Sequence, residues 1–149
     1  MKAFFDTSVL VPVFLSDHPH HGPSLARFRQ VAPSNGFAAA HSLAELYSTL
    51  TRLPVPYRLT PAQAMEAVRA STRRLTFVSL TADEIGTILE KAATLNIQGG
   101  TAYDFLIASC AGKAEIDVLY SWNIRHYALF GSEVRDKLRS PDQEASGNG

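Results

Sequence analysis

The sequence predicts a three-layer α/β/α sandwich, with helices on both faces of a mainly parallel sheet of four or five strands. Short apolar runs of strand length alternate along the chain with segments of helical periodicity. This alternation is typical of parallel sheets that are covered by helices on both faces. The chain has 149 residues, of which 46% are apolar, so it is long enough for one domain with a sizeable core.

Four apolar runs are predicted to form strands, and a fifth short element, a strand or a helix, is expected near residues 132–138. The four runs are residues 2–5, 36–40, 77–80 and 118–121. The second run is a weak strand by propensity, because it contains three alanines and alanine is a poor β-former.

Helical segments separate the strands. They are predicted from the end of the first strand to about residue 15, then at 24–31, 42–53, from 61 onward, from 82 onward and at 102–112. The helix at 42–53 has one apolar stripe, formed by Leu43, Leu46, Tyr47 and Leu50. The clearest helix start follows Thr60, which is a cap residue with Pro61 at the first helical position and Gln63 placed to close a capping box.

Composition limits the possible partners and the compartment. The 14 basic and 14 acidic residues give a formal charge of zero, so an RNA site would need local clustering or bound metal ions. The single cysteine, Cys110, excludes an intramolecular disulfide and fits a reducing compartment. The apolar stretch at residues 3–15 is too short to span a bilayer and lacks a signal-peptide cleavage pattern. We therefore expect a cytoplasmic protein without membrane contact.

The domain is predicted to span residues 1–139. Residues 140–149 are polar and rich in turn formers, which predicts a disordered tail.

Three acidic residues stand alone in otherwise apolar segments. Asp6 is the only charged residue from 3 to 16, Glu45 the only one from 30 to 51 if His41 is left aside, and Asp104 the only one from 92 to 112. Acidic side chains are rarely buried unless they are paired or bind a metal. No basic residue close in sequence is available as a partner, so the three acids are candidates for one shared site.

Their positions support a shared site but also allow a structural role. Asp6 and Glu45 directly follow predicted strands, so they should lie at the carboxyl edge of the sheet, where α/β proteins place their sites. Asp104 lies in the first turn of a predicted helix, and its placement is less defined. Alternatively, Asp6 is a helix N-cap, while Glu45 and Asp104 complete capping boxes with Ser42 and Thr101.

If the three acids converge, they need a cation. Two carboxylates about 4 Å apart repel by roughly 4 kcal/mol at an effective dielectric constant near 20. Ligand sets made only of oxygen suit Mg²⁺ or Mn²⁺ rather than zinc. Such a site binds phosphate-bearing substrates and activates a water for attack at phosphorus.

Four segments resemble the motifs of the PIN-domain family. The resemblance runs from about residue 2 to 138, and its motifs lie at residues 4–10, 41–54, 103–108 and 118–127. It implies a metal-dependent ribonuclease in which Asp6, Glu45 and Asp104 hold Mg²⁺, or Mn²⁺ as a substitute, with Thr7 or Ser8 supporting them. Many small bacterial members are VapC-type toxins that a small antitoxin protein neutralises. The resemblance therefore also implies an RNA substrate, an antitoxin partner and a homodimer.

The fourth motif departs from the family pattern. It often carries an acid where this chain has Asn123. The amide oxygen of Asn123 can accept a hydrogen bond from a metal-bound water, so we assign it an assisting catalytic role outside the metal ligands. Because it adds no charge, a second metal would be held weakly. Asp117 cannot replace it, because it precedes the strand and lies roughly 13 Å or more toward the opposite edge.

Two other functions remain open. A phosphatase of the haloacid-dehalogenase type also places an Asp after its first strand, but it usually needs a second Asp where this chain has Ser8. A catalytically weak PIN domain that binds RNA or a protein partner without cleavage is favoured only by Asn123.

Several other side chains are weaker candidates. His18, His20 and His21 could bind a transition metal, but the surrounding prolines and glycine favour a solvent-exposed loop. His126 could contact RNA or cap a turn, and core packing is favoured over base stacking for Tyr47, Trp122 and Tyr127. Candidate phosphate contacts are Arg52, Arg58, Arg73, Arg74 and Arg125.

Overall fold

The computed structural model describes residues 1–143 and has a five-stranded sheet in the order β3-β2-β1-β4-β5. Every pairing between neighbouring strands is parallel. The strands are β1 (Ala3–Phe5), β2 (Gly36–Ala39), β3 (Thr76–Val78), β4 (Val118–Tyr120) and β5 (Leu138–Arg139). The predicted fold class is confirmed, and the mainly parallel sheet is parallel throughout.

Helices precede, connect and follow these strands. They are α1 (Thr7–Val13), α2 (His21–Arg29), α3 (Ser42–Thr51), α4 (Pro61–Arg74), α5 (Ala82–Thr94), α6 (Thr101–Ala114), α7 (Ile124–Tyr127) and α8 (Ser132–Lys137), with a 3-10 turn at Ala128–Phe130. The element expected near residues 132–138 is therefore a helix followed by a strand. No helix among residues 1–143 has the length and apolar character that a bilayer crossing needs.

Two hydrophobic cores lie on opposite faces of the sheet. Successive residues of a strand point to opposite faces, and in the central strand β1 Phe5 packs with α1–α4 while Phe4 packs with α5, α6 and α7. Both side chains have 0% exposure. A strand that is buried on both faces is apolar throughout instead of alternating, which explains why β1 reads as a continuous apolar run.

The alanine-rich run predicted as a weak strand forms β2, which pairs with β1 on one side and β3 on the other. A Cβ atom on Gly36 would lie 2.7 Å from a side-chain atom of Val31 and 2.8 Å from one of Leu75. The small residues of β2 therefore allow close packing against neighbouring segments, and this tertiary constraint outweighs the low β propensity of alanine.

Helix boundaries follow the predicted starts with few differences. Thr60 and Gln63 form the predicted capping box of α4, and Thr81 and Glu84 form a second one at α5. The helix predicted to start at residue 24 begins at His21, so His21 lies within α2 rather than in a loop. The first helix ends at Val13 instead of near residue 15.

The start of the predicted tail is packed against the domain. Pro141 is buried, and Arg27 of α2 donates hydrogen bonds to the carbonyl oxygens of Pro141 at 2.9 Å and Gln143 at 2.6 Å. Residues 140–143 thus form a turn attached to α2. The prediction for residues 144–149 lies outside the described residues.

Substitution of Gly36 tests the close packing of β2. The Gly36→Ala variant should lose about 1–3 kcal/mol of unfolding free energy, because the added methyl group overpacks a buried position. Gly86→Ala is the matched control, since a Cβ there meets nothing within 4 Å and alanine is favoured by up to about 1 kcal/mol in a helix interior. Urea denaturation measures both. Equal stability of the Gly36→Ala variant and the wild type would contradict the packing argument.

Candidate active site

Three acidic residues lie at the carboxyl edge of the sheet. Asp6 directly follows β1, Glu45 lies in the first turn of α3 after β2, and Asp104 lies in the first turn of α6. Burial is the main cause of the raised pKa of Glu45 and Asp104, and the charge of Asp6 raises both further. The three acids that the sequence isolates therefore lie at one edge of the sheet, near enough to influence one another's pKa.

Asp6 is almost fully buried, with 1% exposure, and three hydroxyl groups donate to its carboxylate. Ser8 Oγ and Ser121 Oγ donate to Asp6 Oδ2 at 2.7 and 2.8 Å, and the Tyr127 hydroxyl donates to Oδ1 at 2.8 Å. Asp6 occupies the N-cap position of α1, but its side chain makes no capping hydrogen bond. The simple N-cap interpretation is therefore wrong, and the carboxylate faces the site.

Glu45 does not close the capping box that its sequence pattern suggests. The N-cap of α3 is His41, with no side-chain capping bond, and the Ser42 hydroxyl instead accepts a hydrogen bond from Thr7 Oγ1 at 2.9 Å. Burial is the main cause of the raised pKa of Glu45, and the Thr7 hydroxyl opposes this rise. His41 Nε2 lies 3.5 Å from Glu45 Oε1.

Asp104 contacts a histidine side chain from α7. Its Oδ2 atom lies 3.2 Å from Nδ1 of His126 in α7. Burial raises the pKa of Asp104 most, Asp6 raises it further, and His126 partly offsets both effects. The N-cap of α6 is Gly100, and no side chain caps this helix, so the capping-box interpretation of Thr101 and Asp104 is also wrong.

Sequence analysis missed four contributors to the site: His41, Ser121, His126 and Tyr127. Tyr127 was expected to pack in the core, and its ring does so at 0% exposure, but its hydroxyl also holds Asp6. Burial and the charge of Asp6 keep the pKa of Tyr127 well above its ordinary value. His126 contacts Asp104 rather than capping a turn. Three of the four lie in the fourth PIN-like motif, and this motif was the sequence feature that could have pointed to them.

Asn123 lies in the same region, but its role stays a prediction. It is exposed and precedes α7, and its backbone N–H donates to Ser121 Oγ at 2.9 Å. Asp117 accepts a hydrogen bond from the backbone N–H of Lys2 at 2.7 Å, at the start of β1 and therefore at the opposite edge. Asp117 thus lies where its position before β4 predicts, away from the carboxyl edge.

The donor chemistry of the three acids fits a hard divalent cation, because all their ligand atoms are carboxylate oxygens. Among residues 1–143, no three His, Cys, Asp or Glu side chains are already grouped closely enough to hold an ion. Glu45 and Asp104 each lie beside a histidine, and 38% and 22% of their side-chain surfaces are exposed. Holding one ion between the three carboxylates would therefore require side-chain rotation from the arrangement described.

Three of the candidate phosphate-binding arginines already contact backbone carbonyl groups. Arg58 donates to Leu53, Arg73 to Arg69, and Arg74 to Arg29 and Val31. Arg52 and Arg125 are exposed, and neither side chain makes a hydrogen bond or ion pair within residues 1–143. Arg125 belongs to α7. This helix also carries His126 and Tyr127, which contact Asp104 and Asp6.

The fold and the site define an α/β domain with three acidic residues at the carboxyl edge of a parallel sheet, where α/β proteins place their ligand sites. The PIN-domain profile matches residues 3–129. The chain belongs to the PIN-domain family.

Similar proteins within the family are VapC ribonucleases. The chain is 37% identical over 112 residues to ribonuclease VapC27 of Mycobacterium tuberculosis, covering 72% of this chain and 75% of that protein. It is 32% identical over 114 residues to ribonuclease VapC40 of the same species, covering 76% of this chain and 81% of that protein.

Solved structures with the same fold are also VapC proteins. The crystal structure of Mycobacterium tuberculosis VapC20, a sarcin-ricin-loop-cleaving toxin, has a TM-score of 0.70 at 20% identity and covers 89% of this chain and 98% of that one. VapBC2 from Rickettsia felis, bound to a DNA fragment from its promoter, has a TM-score of 0.64 at 17% identity, covering 94% and 98%. At these identities the similarity shows the shared fold.

The raised pKa of Asp104, caused mainly by burial and further by the charge of Asp6, predicts how stability depends on pH. The folded pKa of Asp104 is raised above its ordinary value of 3.8, so the ionised carboxylate destabilises the metal-free fold at neutral pH. This destabilisation disappears as pH falls from the raised pKa through 3.8. The Asp104→Asn variant should therefore be more stable than wild type at pH 7 in chelator, and the difference should shrink in acid.

Urea unfolding across this pH range, with chelator present, measures the effect. Glu84→Gln is the control with the opposite sign, because Lys113 and the α5 cap lower the pKa of Glu84 and glutamine can keep the cap but not the charge. If Asp104→Asn instead loses about 0.5–2 kcal/mol at pH 7, the acid has a capping role.

Proposed function

We propose that this protein is a magnesium-dependent endoribonuclease in which Asp6, Glu45 and Asp104 hold the ion. One observation carries the proposal: three acidic residues lie directly after β1 and in the first turns of α3 and α6, at the carboxyl edge of the sheet, although 98 residues separate the first from the last. The naming of the similar VapC proteins as ribonucleases supports it. Mn²⁺ is the expected substitute, because it accepts the same oxygen ligands.

The three acids are expected to have different roles because their surroundings differ. Asp6 is fixed by three hydroxyl groups and provides an immobile ligand. Glu45 and Asp104 are partly exposed, and burial followed by the charge of Asp6 raises the pKa of both carboxyls, so a bound cation would favour their ionised forms. A bound Mg²⁺ supplies charge stabilisation at the phosphate and lowers the pKa of a bound water.

Exposed polar side chains near the start of α7 are suited to bind the RNA chain. Asn123 and Arg125 are both exposed near the start of α7. The Arg125 guanidinium can form paired hydrogen bonds with a phosphate, and the Asn123 amide can accept from an attacking water. Because the chain has a formal charge of zero, RNA binding should depend strongly on the cation and on these local contacts.

A binding protein without cleavage activity is the second candidate. The exposed Asn123 favours it, because an acid at this position would strengthen the site. The phosphatase alternative has no such support: Ser8 fills the position that needs an acid there, and its hydroxyl donates to Asp6.

The proposed biological setting is that of a toxin paired with a small antitoxin protein. The VapBC2 complex of Rickettsia felis, which has the same fold, supports a partner of this kind, and we expect the chain to form a homodimer. The proposed location is the cytoplasm, which fits a single free cysteine, Cys110, buried in the domain.

Cleavage of RNA tests the catalytic proposal. Purified protein incubated with total cellular RNA should degrade it with Mg²⁺ or Mn²⁺ and stop when a chelator is added. Asp104→Asn should lower the rate by at least about a hundredfold, since it removes a proton-accepting ligand. Asp117→Asn is the matched control and should keep wild-type activity, because Asp117 lies at the opposite edge. Binding of RNA without cleavage would instead establish the binding protein.

Inhibition by a partner tests the toxin assignment. A short reading frame next to this gene should encode a protein that co-purifies with the chain and inhibits its ribonuclease activity at a fixed stoichiometry. Light scattering of the free chain should give the mass of a homodimer. Purification from the native host as a free monomer, with no small protein attached, would contradict this assignment.

A further inference from the structure

Two successive backbone N–H groups control the hydroxyls that hold Asp6. The N–H of Trp122 donates to Ser8 Oγ, and the N–H of Asn123 donates to Ser121 Oγ, both at 2.9 Å. Each serine hydroxyl then donates to the same atom, Asp6 Oδ2. A hydroxyl has one proton, so accepting from the backbone leaves that proton free to point at Asp6.

The side chain of Trp122 holds this turn in place. Its Nε1–H donates at 2.9 Å to the hydroxyl of Ser24, a residue with 0% exposure on α2. The His20 ring stacks on the indole, with 3.7 Å between ring centroids and an interplanar angle of 9°. Two residues from the α1–α2 region thus fix a tryptophan that lies beyond the end of β4.

A tryptophan that only packed in the core would need neither the hydrogen bond to Ser24 nor the stacking with His20. Trp122 is partly buried beside the core that contains Phe5 and α1–α4, so packing explains part of its role. Packing alone does not require a hydrogen bond to a fully buried serine, nor a neighbouring backbone that contacts both serines bonded to Asp6. The connection runs from α2 through the indole and the 121–123 backbone to the carboxylate.

We propose that Trp122 is a positioning residue for the acid site: its indole, held by Ser24 and His20, fixes the 121–123 backbone and so aims the Ser8 and Ser121 hydroxyls at Asp6. The consequence for metal binding rests on the proposed function. When the indole is released, the two hydroxyls lose their fixed orientation and the Asp6 carboxylate can rotate. Mutation of groups that orient a metal ligand typically weakens metal affinity by about 10–100-fold.

Metal affinity of graded variants tests the positioning role without relying on activity. Isothermal titration with Mn²⁺ should give a dissociation constant about tenfold or more higher for Trp122→Ala than for wild type. Trp122→Phe keeps a ring for His20 to stack on and should restore part of the affinity. Ser24→Ala should weaken binding as Trp122→Phe does, and the double variant should be no worse than either single one, because both remove the same hydrogen bond.

Phe14→Leu is the matched control. Phe14 packs against the same core and contacts Phe28 with 5.9 Å between ring centroids, but it makes no contact with residues 121–123 among the described hydrogen bonds and ring pairs. It should lower stability while leaving the Mn²⁺ affinity unchanged. Circular dichroism checks that each variant is folded at the titration temperature, and if Trp122→Ala fails to fold, Ser24→Ala and His20→Ala carry the test.

A second readout follows the backbone itself. In ¹⁵N-labelled wild type, Mg²⁺ should shift the amide signals of Trp122 and Asn123, because these amides donate to the Ser8 and Ser121 hydroxyls that bond to Asp6. Trp122 is the only tryptophan, so its single indole signal reports the Ser24 bond and should move in Ser24→Ala.

The outcomes separate the two ideas. Suppose that wild type binds metal and cleaves RNA, but that the Trp122 and Ser24 variants bind Mn²⁺ with the same affinity as wild type and Phe14→Leu. The positioning role is then wrong, and the proposed function stands. If wild type binds neither Mg²⁺ nor Mn²⁺, the proposed function fails and the positioning role fails with it.

Discussion

The buried carboxylate of Asp6 is the constraint on which the site depends. A charged group removed from water destabilises a fold by several kcal/mol unless hydrogen bonds replace its hydration. Here Ser8, Ser121 and Tyr127 provide three such bonds, and they come from α1, the end of β4 and α7. The positions of these elements relative to β1 are therefore specified by one side chain as well as by packing. The same bonds leave Glu45 and Asp104 as the adjustable members of the site.

Much of the fold was predictable because its signals are local. The apolar run of β1, the capping box at Thr60 and the alternation of strands with helices all appear within short windows of sequence. The three acids were also visible, since a lone charge in an apolar segment can be read without knowledge of its neighbours. β2 formed despite its alanines because it pairs with β1 on one side and β3 on the other, and Val31 and Leu75 leave no room for a side chain at Gly36.

The rest of the site could not be predicted because it depends on contacts between distant residues. His126 and Asp104 are 22 residues apart, and Tyr127 and Asp6 are 121 apart. Local patterns were misleading where a distant partner intervened: Ser42 looked like the cap for Glu45, but its hydroxyl accepts from Thr7 instead. Such choices are decided by which groups meet in space, and one sequence without structure does not determine them.

Sequence separation also affects when the site can form during synthesis. Asp6 lies near the start of the chain, whereas its donors Ser121 and Tyr127 are translated 115 and 121 residues later. Likewise, β1 cannot pair along both edges until β4 has been synthesised. Pairings this distant in sequence form late and slowly. A nascent chain therefore lacks two of the three hydroxyl groups that hold Asp6 until the segment with β4 and α7 has left the ribosome. Until then the Asp6 carboxylate has only the nearby Ser8 hydroxyl as a partner.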